Sequence, residues 1–390
     1  MSSLPSRLGV AALLCATGAF AAPVAPVPPV PPAPPASVVA PVPPVPPVPP
    51  NPNAPVAAAE RLQVVDTLAA KLRARYIYPD RADRIAATLQ AHAAHGDYDG
   101  AKTVAALQEV LDKDLRAVGD DRHFRIEFVP DFDAAMEDEE HIPNQEEIDQ
   151  MRKETASMGW GVGRVQRMPG NVGYLDMRSF PPPDIAGQAV DHALALLSGT
   201  EALIVDLRMN GGGDPLGVSY FVSHFFAEGD ERHLNDIYWR NGNHTREYWT
   251  VPVPGPHYLK PMILLTSKRT GSGAEECAND LQSQKRATLV GEVTAGAANP
   301  GGPVALGQHL VAFVPSGRPI NAVTHTDWEK VGIKPDVAVP PTDAMKTAYL
   351  SLLDQRLAQA KDPEEKESLQ DVRGRVVDGK IELPPFVPRR

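Results

Sequence analysis

Two apolar segments in the second half of the chain each end in a turn of small residues and continue into a helical pattern. Residues 202–208 lead into the turn 210–213, which contains three glycines, and residues 261–265 lead into the turn 266–272. A buried strand followed by a tight turn and a helix is typical of a β-α-β unit, in which helices cover parallel strands. We therefore expect a mixed α/β (α+β) fold built around a sheet.

The second of these turns places Ser272 directly before a helix that begins near Gly273. A hydroxyl at this position suits a nucleophile, because the backbone N–H groups and the dipole at a helix N-terminus favour developing negative charge. The alternative is that Ser272 only caps the helix, with Glu275 completing a capping box. The Gly-x-Ser-x-Gly motif of the α/β-hydrolases is not present, and the residue pattern leaves both interpretations open.

The N-terminus carries export and spacer signals. Residues 1–21 combine a basic residue, an apolar stretch and a small-residue cleavage site near Ala21, which predicts a signal peptide and a soluble protein that is periplasmic or secreted. Residues 22–56 form a proline-rich segment, which we interpret as a polyproline II linker. Only Cys277 follows the signal peptide, which excludes an intramolecular disulfide and suggests a small buried hydrophobic residue.

Composition limits the possible functions. The chain has 390 residues, of which 43% are hydrophobic, and is long enough for two domains with separate cores. Its formal net charge is −11 and it has no basic cluster, which argues against nucleic acid as a partner. Acidic residues concentrate in the segment 131–154, which we interpret as a solvated connector.

Hydrophobic periodicity divides the chain into segments. Apolar residues at three- and four-residue spacing predict a small three-helix bundle in residues 57–120. Residues 121–158 hold a strand over 123–128 and the acidic connector. Residues 159–345 form the sheet-and-helix core, and residues 346–390 form a C-terminal helix and tail.

Turn residues predict two hairpins within the core. One spans residues 234–251 and turns at Asn241-Gly242 in a type I′ turn. The other turns at Ser316-Gly317. After the core, the pattern predicts a helix over residues 343–360.

Two histidines are candidates for a base that activates Ser272. His123 stands where a strand begins, and a single histidine there is most often a surface or capping residue. His325 is its strongest rival for a catalytic role. Glu329 follows in a polar loop, where an exposed acid is the simpler interpretation.

Three segments in this order resemble the tail-specific or C-terminal processing family of serine proteases: residues 206–213, 266–276 and 332–336. The helical segment before His123 looks like the N-terminal domain of the interphotoreceptor retinoid-binding protein branch. The resemblance implies a core related to the crotonase and ClpP fold. Family members often carry a peptide-binding PDZ domain, but residues 130–160 are too short to hold one, so we expect none.

The resemblance also implies a set of catalytic residues. Bacterial processing proteases pair the serine with a lysine in the loop after Gly-Glu-x-Thr, whereas this chain has Ala297 at that position. The tricorn-core-like branch instead uses a histidine from upstream of the core and a glutamate before the Gly-x-x-Pro-Asp segment. These roles fall on His123 and Glu329. In that branch a serine precedes the histidine, and here Arg122 replaces it.

We therefore expect an exported serine peptidase that acts on C-terminal regions of proteins or peptides by a Ser-His-Glu acyl-enzyme mechanism. Backbone N–H groups of Gly212 and Gly273 would form the oxyanion hole. We expect no cofactor, no metal and no stable membrane insertion, and the oligomeric state stays open. The alternative is a non-catalytic binding protein for an apolar small molecule, as the retinoid-binding relatives suggest. An acyl-CoA enzyme of the crotonase type is weaker, because an exported protein meets little coenzyme A.

Overall fold

The computed structural model describes residues 49–137 and 141–387. The predicted signal peptide and residues 22–48 of the predicted linker lie outside the described residues. The end of that linker is part of the fold, because the Val56 N–H donates to the Lys102 carbonyl at 3.0 Å and Pro55 bridges to Thr103. Within the described ranges, no helix has both the length and the apolar character needed to cross a membrane.

The first helices of the fold are α1 (Ala58–Arg75), α2 (Pro79–His95) and α3 (Val104–Gly119). Local chemistry explains where they begin and end. Pro79 occupies the first turn of α2, Gly96 ends that helix with φ of 87°, and Thr103 caps α3 by accepting a hydrogen bond from its backbone. All three helices lie where the periodicity predicts them.

These helices do not form a closed bundle. A sheet of β1 (Arg125–Phe128), β9 (Gly301–Gly307) and β10 (Leu310–Pro315), in the order β1-β10-β9, packs against them and shares their core. Leu72 and Leu111 on the helices are fully buried together with Ala312 on β10. The predicted bundle is therefore one layer of a two-layer unit. An amphipathic pattern predicts an apolar face but does not say which element covers it.

The central sheet runs through the second half of the chain. Its strands are β2 (Val162–Met168), β3 (Val172–Met177), β4 (Ala202–Asp206), β7 (Met262–Thr266), β8 (Thr288–Gly291) and β12 (Val337–Ala338). The order is β12-β8-β7-β4-β3-β2, and only β2 pairs antiparallel. α5 (Pro183–Leu197) connects the parallel strands β3 and β4, which confirms the predicted β-α-β unit. β4 and β7 are buried at every residue, which explains their continuous apolar sequences.

Helices cover both faces of the central sheet. α5, α6 (Pro215–Ser223) and α7 (Gly273–Ser283) share one core with it. α8 (Pro341–Gln359) and α9 (Pro363–Val377) pack on alternate side chains of the same strands and therefore on the other face. α8 matches the predicted C-terminal helix, whereas α9 lies in the segment that we interpreted as a tail.

A further sheet is formed by β5 (His233–Trp239), β6 (His244–Trp249) and β11 (Gly317–Asn321), in the order β11-β5-β6. β5 and β6 form the predicted hairpin, but the predicted type I′ turn is wrong. Trp239 pairs with His244, so residues 240–243 form the turn, with positive φ at Gly242 (74°) and Asn243 (48°).

The predicted hairpin at Ser316-Gly317 is also wrong. β10 ends just before this point and β11 begins at it, but β10 pairs with β9 and β11 pairs with β5. The hairpin instead joins β9 to β10 through Gln308 and His309, which both have left-handed backbone with φ of 53° and 58°. The glycine at 317 marks a change of sheet, where a Cβ would stand 3.0 Å from the Trp239 side chain.

The acidic segment 131–154 is partly structured. It contains a 3₁₀ turn that ends at Glu137 and most of α4 (Gln145–Ser157), which Asn144 caps through its side chain. The Glu137 carboxylate pairs with Lys71 on α1 and accepts a hydrogen bond from the backbone of β9. The predicted solvated connector is therefore attached to the folded part at this residue. Residues 138–140 lie outside the described residues.

Candidate active site

Ser272 lies between β7 and α7, immediately before the first residue of the helix. Its backbone has φ of 52° and ψ of −128°, a conformation that L residues rarely adopt and that costs on the order of 1–3 kcal/mol. Among the described residues no hydrogen bond reaches the hydroxyl: the Glu275 N–H donates at 2.8 Å to the Ser272 carbonyl oxygen, and of the predicted capping box only the bond from the Ser272 N–H to the Glu275 carboxylate forms. A strained turn thus presents an uncapped hydroxyl, which favours the nucleophile over the capping interpretation.

The Glu275 carboxylate holds this turn in place. It is fully buried and accepts hydrogen bonds from the Ser272 N–H at 3.0 Å, the Gly296 N–H at 2.6 Å, the Ala297 N–H at 2.8 Å and the Thr294 hydroxyl at 2.5 Å. Burial raises the pKa of Glu275, and these hydrogen bonds oppose that rise. Sequence analysis identified this residue only as part of a capping box. In the structure it joins Ser272 to the loop that follows β8.

A glycine-rich turn contacts Ser272. A Cβ on Gly212 would stand 2.7 Å from both the Ser272 Cβ and the Gly273 nitrogen, and Gly212 has φ of 108°, so only glycine fits. The Gly212 N–H is already engaged, since it donates to Asn210 Oδ1 at 2.8 Å. The Gly273 N–H has no acceptor in the part of the chain that the structure describes. The predicted oxyanion pair is therefore unequal: Gly273 offers a free donor, whereas Gly212 provides space beside the hydroxyl.

His123 lies in the loop that leads into β1. Its Nδ1 is 3.5 Å from Asp121 Oδ1, and its ring stacks on Phe313 with centroids 6.1 Å apart. Both ring nitrogens are buried and neither has a hydrogen-bond partner among residues 49–137 and 141–387. No hydrogen bond therefore joins His123 to Ser272 in this structure. Catalytic hydrogen bonds are often long without substrate and shorten when it binds.

Glu329 belongs to the same charged neighbourhood. Its Oε2 accepts a hydrogen bond from the Ala298 N–H at 2.9 Å. Burial raises the pKa of Glu329, the negative charge of Asp121 raises it further, and His123 lowers it. Among the described residues, His123 forms its ion pair with Asp121 and not with Glu329. The direct contact by which Glu329 was predicted to orient His123 is therefore not observed.

The loop after β8 connects the candidate residues. The Ser272 N–H donates to the Ala297 carbonyl at 3.0 Å, and the Lys330 N–H donates to the Gly296 carbonyl at 2.9 Å. The Lys330 side chain in turn pairs with Asp120, in the loop that carries His123. Folding thus brings the loops of the serine, the glutamate and the histidine together, although they are far apart in sequence.

The rival base, His325, lies elsewhere. It is exposed, and its N–H donates to the Asn321 carbonyl at 2.9 Å. The Asn321 side chain donates to Asp280 and Ser283, both at 3.2 Å, in the last turns of α7. α7 has 11 residues and is therefore about 16 Å long, with Ser272 at its opposite end. His325 is not positioned to activate Ser272.

Two family profiles match the chain. The profile of peptidase family S41 matches residues 171–339, which contain Ser272 and Glu329. The profile of the N-terminal domain of Peptidase_S41 in eukaryotic IRBP matches residues 58–159, which contain His123. The chain contains a peptidase family S41 domain.

Curated relatives of this S41 chain are named as C-terminal processing enzymes. Over 206 residues, this chain is 28% identical to carboxyl-terminal-processing peptidase 2, chloroplastic, of Arabidopsis thaliana. The aligned region covers 49% of this chain and 37% of that protein. Over 204 residues, this chain is 31% identical to the carboxyl-terminal-processing protease of Synechocystis sp.. The aligned region covers 47% of this chain and 44% of that protein. The chain therefore spans less than half the length of either relative.

A solved structure shares the fold of the S41 chain. A Parabacteroides merdae protein described as a candidate peptidase superposes with a TM-score of 0.52 over 79% of this chain and 100% of that chain. The identity is 18%, so the likeness shows the fold alone. The expected α/β (α+β) class, with helices ahead of an S41 core, is confirmed.

The S41 core of this chain has no lysine where the processing branch supplies its base. Ala297 occupies that position, and its N–H and carbonyl bond to Glu275 and Ser272. Cys277 on α7 is fully buried, and burial raises the pKa of its thiol, so it is a core residue as predicted. His123 therefore remains the candidate base.

Proposed function

We propose that this chain is an exported serine peptidase that cleaves peptide bonds through an acyl-enzyme, with Ser272 as nucleophile, His123 as general base and Glu329 in support. The observation that carries the proposal is the state of Ser272, whose strained backbone presents an uncapped hydroxyl at the N-terminus of a buried helix. The S41 domain supports the same chemistry. Export rests on the sequence of residues 1–21.

The reaction begins when Ser272 Oγ attacks the carbonyl carbon of the scissile bond and His123 takes the hydroxyl proton. The carbonyl oxygen gains negative charge beside the Gly273 N–H, at the positive end of α7. His123 then gives the proton to the leaving amine nitrogen as the C–N bond breaks. Water, deprotonated by the same histidine, hydrolyses the ester and restores Ser272.

Glu329 acts through space on the protonated form of His123. A buried negative charge near a ring that becomes positive lowers the energy of the charged state. Because burial raises the pKa of Glu329, acidification neutralises it at a higher pH than an exposed glutamate. As pH falls, Glu329 therefore stops stabilising the protonated His123 at a higher pH than an exposed glutamate would.

The proposed substrates are peptides or unstructured C-terminal regions of proteins. The names of the curated relatives suggest this class. In the described residues between β1 and β2 the chain forms only 3₁₀ turns and α4, which leaves no separate peptide-binding domain. Substrate segments would then reach Ser272 directly, which requires that they be locally unfolded.

A binding protein for an apolar small molecule is the second candidate, because residues 58–159 match the IRBP-type domain. A pure binder gains nothing from a strained serine with an uncapped hydroxyl. Turnover therefore separates the two functions.

Hydrolysis of an unstructured, internally quenched fluorogenic peptide tests the proposal. We expect the purified full chain to cleave the peptide and Ser272→Ala to lower the rate by roughly 1,000-fold or more. Ser157→Ala, at an exposed serine on α4, is the matched control and should leave the rate unchanged. Equal rates for the wild type and Ser272→Ala would refute the proposal. The same peptide with a free and an amidated C-terminus tests the substrate class.

A further inference from the structure

Asp121 is the carboxylate that contacts His123. Its side chain is fully buried, its Oδ1 accepts the His123 backbone N–H at 3.0 Å, and the same oxygen lies 3.5 Å from Nδ1 of the ring. Burying a carboxylate is unfavourable unless charges or hydrogen-bond donors compensate for the lost water. The contacts with His123 supply part of that compensation.

Tyr76 also compensates for the burial of the Asp121 carboxylate. Its hydroxyl donates to Asp121 Oδ2 at 3.1 Å, so the two carboxylate oxygens face different partners. Tyr76 is itself fully buried and packs on Phe124 with ring centroids 5.0 Å apart, which fixes the direction of its hydroxyl. Burial raises the pKa of Asp121, but the hydrogen bonds from His123 and Tyr76 outweigh burial and leave that pKa below its ordinary value. Asp121 therefore remains ionised near neutral pH.

The ring of His123 is also held from one face. Phe313 on β10 stacks on it with an angle of 30° between the ring planes. The Arg125 guanidinium lies 4.3 Å from the centroid of the same Phe313 ring. With Phe313 on one face and Asp121 at Nδ1, the ring has a defined orientation in which Nε2 is the nitrogen left for a reacting group.

We propose that Asp121 is the positioning residue for His123, holding Nδ1 so that Nε2 faces Ser272 and stabilising the ring after it has taken the serine proton. The inference rests on the proposed function and assigns to Asp121 the orienting role that sequence analysis gave to Glu329. The proton stays on His123, and Asp121 is a carboxylate throughout.

Several charged or titratable groups surround His123. They are Asp120, Asp121 and Arg122 on its own loop, Tyr76 after α1, Arg125 on β1, and Glu329 and Lys330 on the loop after β11. Lys330 and Asp120 pair with each other. Asp121 and Glu329 are thus the two acids whose contributions must be separated.

NMR of the histidine ring separates them without requiring turnover. The full chain with Ser272→Ala, which removes self-cleavage, is labelled with ¹⁵N-histidine, and the His123 signal is identified by its loss in His123→Ala. We expect the neutral ring to carry its proton on Nδ1. In Asp121→Asn the tautomers should mix and the titration midpoint should move to lower pH by about one unit. Tyr76→Phe should shift the midpoint by less and to higher pH, because the carboxylate that has lost a donor attracts the protonated ring more strongly. Glu329→Gln should shift it less than Asp121→Asn.

Kinetics with Ser272 intact give a second readout. Asp121→Asn should lower kcat by roughly 100- to 10,000-fold with little change in KM, because an orienting carboxylate acts mainly in the transition state. The acidic limb of kcat/KM should move to lower pH in the same variant, since neutral asparagine no longer favours the protonated ring.

An unchanged midpoint and tautomer in Asp121→Asn, or a larger shift in Glu329→Gln, would overturn the inference. If Asp121→Asn does not fold, the titration midpoint of His123 in Tyr76→Phe tests the inference instead, because this variant keeps the Asp121 carboxylate and removes one of its hydrogen-bond donors. An unchanged midpoint in Tyr76→Phe would then overturn the inference. A wild type without peptidase activity would refute the proposed function, while the NMR titration would still decide the role of Asp121.

Discussion

At the scale of single residues, the sequence points to Ser272 as a candidate but not to the residues that hold its turn in place. A small-residue turn before a helix is a local pattern, so the sequence points to the serine. Glu275 accepts three of its hydrogen bonds from residues 294–297, and only folding brings that loop to the turn. Asp121 was missed for a similar reason. Two adjacent aspartates after a helix are typical of an exposed turn, whereas Asp121 is buried and contacts Tyr76 and His123.

The two histidines give a matched test at this scale. His123→Ala should lower kcat/KM by roughly 100- to 10,000-fold, as expected for removal of a general base. His325→Asn should leave kcat/KM unchanged, because His325 lies at the far end of α7 and asparagine tolerates its positive φ of 56°. Steady-state kinetics across pH measure both. Substantial activity in His123→Ala with an unchanged acidic limb would show that another group is the base.

At the scale of elements, patterns within one segment were reliable and pairings between segments were not. α1, α2 and α3 lie where hydrophobic periodicity predicts them, and the apolar segments 202–208 and 261–265 contain the buried strands β4 and β7. The turn at Ser316-Gly317 was interpreted as a hairpin because it separates two strand patterns, yet β11 pairs with β5, about 80 residues earlier. Nothing local distinguishes a hairpin from a change of sheet.

The glycine turn after β4 provides a test at the element scale. Gly212→Ala should lower kcat/KM about 100-fold or more, because the new methyl group would stand 2.7 Å from the Ser272 Cβ on a backbone with φ of 108°. Gly211→Ala is the matched control, since a Cβ there meets nothing within 4 Å. Kinetics and thermal melting should be measured together. Normal turnover in Gly212→Ala would show that the turn does not determine the geometry of Ser272.

At the scale of the whole molecule, the candidate site is formed from two regions that each have their own core. His123 and Asp121 precede β1, in the layer of helices α1 to α3, whereas Ser272 follows β7 in the central sheet. β9 and β10 belong to the first core although they come late in the chain. This interleaving brings the loops that carry His123 and Ser272 to the same part of the fold, although the two residues are 149 positions apart, and no local pattern predicts it.

Folding also buries two acids on α7 that the proposed chemistry does not use. Glu276 and Asp280 lie one helical turn apart and are almost completely excluded from water. Burial raises the pKa of Asp280 to about 8, and burial together with the charge of Asp280 raises the pKa of Glu276. Asp280 is protonated in the folded state between about pH 4 and pH 8 and ionised in the unfolded state. Its contribution to stability therefore declines as pH rises through that range.

Asp280→Asn should reduce this loss of stability, because asparagine stays neutral. In the Ser272→Ala background, the fall in melting temperature from pH 5 to pH 8 should be smaller by a few degrees, at roughly 2–4 °C per kcal/mol. Asp371→Asn, at an exposed acid on α9, should leave the slope as it is. Differential scanning calorimetry measures the slopes. Parallel slopes in Asp280→Asn and its parent would contradict the raised pKa.

Covalent labelling shows whether Ser272 is the nucleophile. The full chain is treated with a fluorophosphonate, digested, and analysed by mass spectrometry to locate the adduct. We expect one adduct, on Ser272, that forms more slowly in His123→Ala and is absent in Ser272→Ala. A wild-type protein that stays unlabelled, or an adduct of equal yield in Ser272→Ala, would contradict the assignment of Ser272 as nucleophile.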